Sequence, residues 1–149
     1  MAKVFLDRIQ STAHVDSVVA KEDLGNGQWV TLGVLDTDGE RRVVTKATGE
    51  TDADVYIADA PVSYGDPHFD LDTYKVKAGT TGRAYHRVEG DVISVTKDLV
   101  SGDVKVGDNL TIGDAGLGFK KAASGKGIAM LIGEESHGYD GDVYVIAMR

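Results

Sequence analysis

The chain has 149 residues, a formal net charge of -8, 19 glycines, 2 prolines and no cysteine. That length suits one ordinary domain or two very small ones, and the lack of cysteine excludes disulfide staples, thiolate zinc sites and cysteine nucleophiles together. The acidic balance argues against a nucleic-acid binder, because phosphate binding is driven by Lys and Arg displacing counterions, and no stretch approaches the roughly 18–20 apolar residues of a membrane span.

Residues 1–12 carry Val4, Phe5, Leu6 and Ile9 among polar neighbours and read as an extended arm or a single helical turn. Asp7 and Arg8 interrupt the start before a signal-peptide core can form, so the expected site of synthesis is the cytoplasm. Strand-like runs follow at 14–19, 28–35 and 41–46. Between the last two, Asp36-Thr37-Asp38-Gly39 predicts a tight hairpin, because glycine accepts the positive φ such turns need.

From 47 to 74 there is no Lys or Arg, while Glu50, Asp52, Asp54, Asp59, Asp66, Asp70 and Asp72 are acidic and both prolines occur. A long surface connection with one short strand at 55–57 fits this composition. From Tyr74 onward, short Val, Ile and Tyr runs alternate with Gly turns at close spacing, the signature of a sandwich or small barrel. No apolar spacing of period 3.6 is sustained, and the candidate at 97–100 is too short for a helix. The expected organisation is an arm at 1–12, a first β lobe with the acidic loop at 13–73 and a C-terminal barrel-like lobe at 74–149, with one compact unit as the alternative.

Several patterns invite chemistry. In Gly113-Asp114-Ala115-Gly116-Leu117-Gly118-Phe119 the spacing is GxxGxG, Phe119 stands where a phosphate loop needs Lys, and no helix pattern follows, so the segment reads as a turn between strands. Alternation places Asp66, His68, Asp70 and Asp72 on one face of an extended segment, a candidate set for a hard cation such as calcium. The EF-hand pattern is broken at Leu71 and Lys77. His14, His68, His86 and His137 are scattered, and there is neither a GxSxG elbow nor an HExxH, so no catalytic residue and no cofactor is assigned. Trp29, within the 28–35 strand, reads as a core anchor, whereas Phe5 in an arm reads as a docking residue.

The Gly-Asp turns GDVISV and VGDNLTIG, the linker GLGFKKAASGKG and the closing pair IAMLIGEE and GDVYVIAMR resemble the small decoration, or cement, proteins on the capsids of tailed bacteriophages. The resemblance lies in pattern over the last half of the chain and in size and layout over all of it. It implies an all-β fold, a small β-barrel or tulip-like domain with an extended N-terminal arm. It also implies a structural, non-enzymatic protein on the outer capsid surface of the virion that stabilises the shell as a trimer. Its partner would be the major capsid protein, engaged through Lys3, Val4, Phe5, Leu6, Arg8 and Ile9 by strand addition. The alternative from the acidic loop is a carbohydrate- or calcium-binding β module.

Overall fold

The computed structural model describes residues 2–8, 15–60 and 71–149. The protein is all-β, with only three-residue 3-10 turns besides its strands among the described residues. Fourteen strands lie among the described residues, the first eight being β1 (Val4–Arg8), β2 (Val15–Val19), β3 (Leu24–Gly25), β4 (Trp29–Leu35), β5 (Arg42–Lys46), β6 (Val55–Ile57), β7 (Lys75–Val76) and β8 (Gly82–His86). The second half adds β9 (Val92–Thr96), β10 (Val100–Ser101), β11 (Asn109–Ile112), β12 (Phe119–Lys121), β13 (Ala129–Ser136) and β14 (Asp142–Met148).

Alternation along these runs decides which face turns inward. In β8, Gly82 and Ala84 are buried while Arg83 between them is exposed, the period-2 signature of a half-buried strand. Five such strands close a barrel in the order β2-β5-β4-β6-β8. Its hairpin turns where Asp-Gly chemistry predicts: Gly39 has a φ of 73° and donates its N–H to the Asp36 carbonyl at 2.9 Å. Arg41 ties the loop down with ion pairs to Asp36 and Asp38, each at 2.9 Å. Closure leaves the barrel no open edge.

β1 and the six strands from β9 onward form an open seven-stranded sheet in the order β1-β9-β14-β13-β11-β12-β10. The closed barrel therefore takes four strands from before residue 74 and only β8 from after it, and β9–β14 of the expected barrel-like lobe at 74–149 lie in the open sheet. The division at 73/74 also does not follow the pairing, because β8 seals the barrel against both β2 and β6. The acidic connection separates β6 from β8 in sequence, but main-chain hydrogen bonding rejoins them.

The halves share a core. Trp29, at 1% exposure, sets its ring edge-on to Tyr56 at 5.2 Å and to Phe119 at 5.8 Å. Its indole N–H donates to the Gly118 carbonyl at 3.1 Å, meeting the need of a buried indole for a partner. Around it, Tyr56 and Ala47 from the barrel side join Ile93, Leu110, Leu131 and Ile146 from the sheet in one cluster, while Val18, Val30, Val44, Val55 and Ile57 fill the barrel. Each fully buried Val, Leu or Ile contributes about 1.5–3 kcal/mol, so the seam at Trp29 holds the two halves as one body.

The glycine-rich segment serves this seam. Gly113–Gly118 folds back on itself, with the Gly113 N–H donating to the Gly118 carbonyl at 2.9 Å, and Gly118 then donates to the Gly27 carbonyl at 2.9 Å. At Gly118, φ is 59° and an added Cβ would lie 1.9 Å from the Leu99 carbonyl oxygen. Close passage of backbones, rather than phosphate binding, accounts for the glycine there. Gln28, 4% exposed, spans the same crossing by donating from Nε2 to the Trp29 and Ala115 carbonyls, each at 3.0 Å.

Candidate interaction surface

The segment expected as a free arm is extended, but it is built into the sheet. β1 runs antiparallel to β9 with Val4 opposite Val95, Phe5 opposite Ser94 and Leu6 opposite Ile93. The physical reason is its own alternation. Ala2, Val4 and Leu6 pack against the shared core, which lowers their free energy more than solvent exposure would. β1 is the end strand of the sheet, and no strand pairs with its outer edge among the described residues. Such an edge is a template for another extended chain.

One end of this edge is locked by charge. Lys3 is buried, and its main chain pairs both ways with Thr96: its N–H donates to Thr96 Oγ1 at 3.0 Å, and the Thr96 N–H donates to its carbonyl at 3.1 Å. The ammonium group meets Asp72 at 2.7 Å and hydrogen-bonds the Asp140 carboxylate. These contacts, Asp140 first and Asp72 next, outweigh desolvation and hold the Lys3 pKa up at about 12. Asp140 sits in the 3-10 turn Gly138–Asp140 that joins β13 to β14, so one lysine fastens the edge strand to the tip of the longest hairpin and to the chain ahead of β7.

The hairpin tip adds aromatic surface. The Phe5 ring lies 4.6 Å from the His137 ring, on the face of β1 opposite Val4 and Leu6. Next to it Tyr139 is 91% exposed, with its ring centroid 5.9 Å from the Lys3 ammonium. Glu134 and Glu135 at the end of β13 and Asp142 at the start of β14 are exposed around it. The surface thus offers unpaired main-chain groups, one projecting aromatic and a surplus of carboxylates. It suits an extended segment with basic flanks, since charge complementarity sets specificity and encounter rate.

No protein-family model matches the sequence, and no curated protein does. The fold has a structural counterpart. It is similar to the crystal structure of the head fiber gp8.5 N base in bacteriophage phi29, with a TM-score of 0.54 at 14% identity, over 93% of this chain and 95% of that one. At that identity the likeness is one of fold, and it spans barrel, seam and sheet together.

Of the six residues expected to engage a partner, Val4 and Leu6 turn inward, Lys3 is enclosed by carboxylates and Phe5 is half-buried against His137. Arg8 contributes main chain opposite Val92, and Ile9 lies outside the described residues. Of the proposed cation ligands, Asp66, His68 and Asp70 also lie outside them, while Asp72 faces Lys3. Among the described residues no group of three or more candidate ligands comes together. His86 lies 2.6 Å from Asp16 across β2 and β8, a pairing of neighbouring strands, and His137 covers Phe5. Sequence reasoning missed Asp140 and Tyr139, whose roles exist only because the fold brings positions 3 and 140 together.

Proposed function

We propose that this chain is a structural protein of a bacteriophage head, mounted on the outer surface of the capsid as a decoration or head-fiber-base protein. The observation that supports this reading is the shared fold with the phi29 head fiber base over nearly the full length of both chains. Capsid attachment requires surface and stability, and the chain supplies both: a closed barrel, a shared core and an open sheet edge. The proposed partner is the major capsid protein, contacted through the main chain of residues 4–8 on the β1 edge, with Tyr139 as a side-chain anchor. On the shell three copies assemble and reinforce the joints between capsid subunits. The protein is made in the host cytoplasm, joins the virion there and performs no catalysis.

The test mixes the purified chain with undecorated shells assembled from the capsid protein of the virus that encodes it, followed by co-sedimentation and a thermal rupture assay. The expected result is saturable binding, a higher rupture temperature, and weaker binding by Tyr139→Ala, whose exposed ring contributes little to the fold. Binding neither to those shells nor to complete virions would overturn the proposal. A single copy at each shell site in reconstructed images would remove the trimer from it.

A further inference from the structure

The barrel wall, in a different sheet from β1, carries a second surface feature. Ser17 on β2 lies opposite Arg83 on β8, both on the outward face of the barrel. Together with Asp59, Tyr74, Thr81 and Gly82 they line a cleft of about 320 Å³. That is at the small end of ligand pockets, which run roughly 300–1,000 Å³, and corresponds to one sugar-sized group.

The chemistry of the lining is one-sided. The Arg83 guanidinium has no ion-pair or hydrogen-bond partner among the described residues, although its own backbone N–H donates to Asp59 Oδ2 at 3.3 Å. Thr81 Oγ1 accepts from Arg41 at 3.2 Å, which leaves the hydroxyl proton to point elsewhere. The Ser17 hydroxyl is likewise without a partner among the described residues. Against these donors stands a single carboxylate, and its position is fixed. Asn26, buried, receives the Asp59 N–H on Oδ1 at 2.8 Å and donates from Nδ2 to the Asp59 carbonyl at 3.0 Å. The Ala60 N–H at 2.8 Å and the Tyr74 hydroxyl at 3.4 Å then orient the carboxylate itself. The Tyr74 ring packs on the barrel core, so its polar end alone serves the cleft.

A guanidinium and a carboxylate that share one cleft without pairing to each other fit a ligand carrying both an anion and a hydroxyl. We propose that this cleft binds one acidic sugar residue. Arg83 takes the carboxylate in its planar fork, Ser17 and Thr81 donate to further oxygens, and Asp59 accepts from a ring hydroxyl. The site is independent of attachment to a capsid.

The test is an NMR titration of the isotope-labelled full chain with D-glucuronate, D-glucose, acetate and L-alanine. The expected result is saturable shifts at the amides of Ser17, Gly82 and Arg83 with glucuronate, at a Kd on the order of 1 mM, and binding at least about tenfold weaker for the other three. Arg83→Ala should abolish saturation with the remaining spectrum unchanged, and Arg83→Lys should retain part of it, since a point charge lacks the fork. Absence of saturable shifts, equal response to acetate or glucose, tighter binding of alanine, or unchanged affinity in Arg83→Ala would each overturn the assignment. Tyr139→Ala serves as the control. Loss of capsid binding without loss of glucuronate binding would separate this site from the capsid-facing surface.

Discussion

Replacing Lys3 by Met keeps most of the side-chain volume and removes the charge that two carboxylates share. Deleting one member of a fully buried ion pair costs about 3–5 kcal/mol. Here the Lys3 side chain is 7% exposed, but Asp72 and Asp140 keep 29% and 18% of theirs. Hydration of the orphaned carboxylates therefore reduces the expected loss to about 1–3 kcal/mol. At about 2–4 °C per kcal/mol for a chain of this size, melting should fall by about 2–12 °C in a calorimetric scan at neutral pH. The pH dependence supplies a second check. The folded pKa of about 12 lies above the ordinary value of 10.5, so the protonated lysine stabilises the fold fully below pH 10.5. That contribution is lost as pH rises through about 12. The gap between wild type and Lys3→Met should accordingly be constant from neutral pH up to pH 10.5 and narrow above it. A Lys3→Met/Asp140→Asn double variant should lose less than the sum of its single changes, because both act on one contact. A melting shift under about 1 °C, or a gap that does not narrow in alkali, would refute the account of Lys3 as the lock on β1.

Three further outcomes follow from the core and its crossings. Trp29→Phe removes one of the two donors to the Gly118 carbonyl, which keeps the Gly113 N–H, and opens space at the seam, and should cost about 2–4 kcal/mol in urea unfolding. Gly118→Ala drives a Cβ to 1.9 Å from backbone oxygen and should prevent recovery of folded protein, whereas Gly102→Ala, at φ 86° with open space around it, should cost only about 1–2 kcal/mol. The Tyr56 hydroxyl is buried without a hydrogen-bond partner among the described residues, so Tyr56→Phe should leave stability within about 0.5 kcal/mol of wild type or raise it, as removing an unsatisfied polar group relieves its desolvation penalty.

Much of the local structure is legible from the residues. The Asp36–Gly39 turn, the short strand at 55–57 between acidic neighbours, and the 3-10 turn at 97–99 in place of a helix all follow from nearest-neighbour chemistry. Trp29 reads as a core anchor and is one. What escapes the sequence is pairing at a distance. Nothing in Gly82–His86 says that it seals a barrel begun at Val15, because the outward Arg83 and inward Ala84 would suit either sheet equally. The same holds for Lys3, which as a lone cation near an N-terminus reads as surface, and is enclosed only because Asp72 and Asp140 arrive from 69 and 137 positions away. Val4 and Leu6 carried the relevant signal. Their alternation with Lys3 and Phe5 marks a half-buried strand, and a half-buried strand implies a sheet to lie on.

The order in which strands are paired differs from the order in which they are made. Every strand of the barrel is complete once His86 has been synthesised, yet Lys3 must wait 93 residues for Thr96, and the second of its two carboxylate partners, Asp140, comes later still. During synthesis the first strand is therefore an apolar, edge-exposed segment held beside an otherwise finished barrel. Products that stop before Asp140 leave β9 without one of its two neighbours and Lys3 without that carboxylate. The strand nearest the start of the sequence is thus among the last to be secured, since its pairing waits on β9 and its charge lock on the turn between β13 and β14.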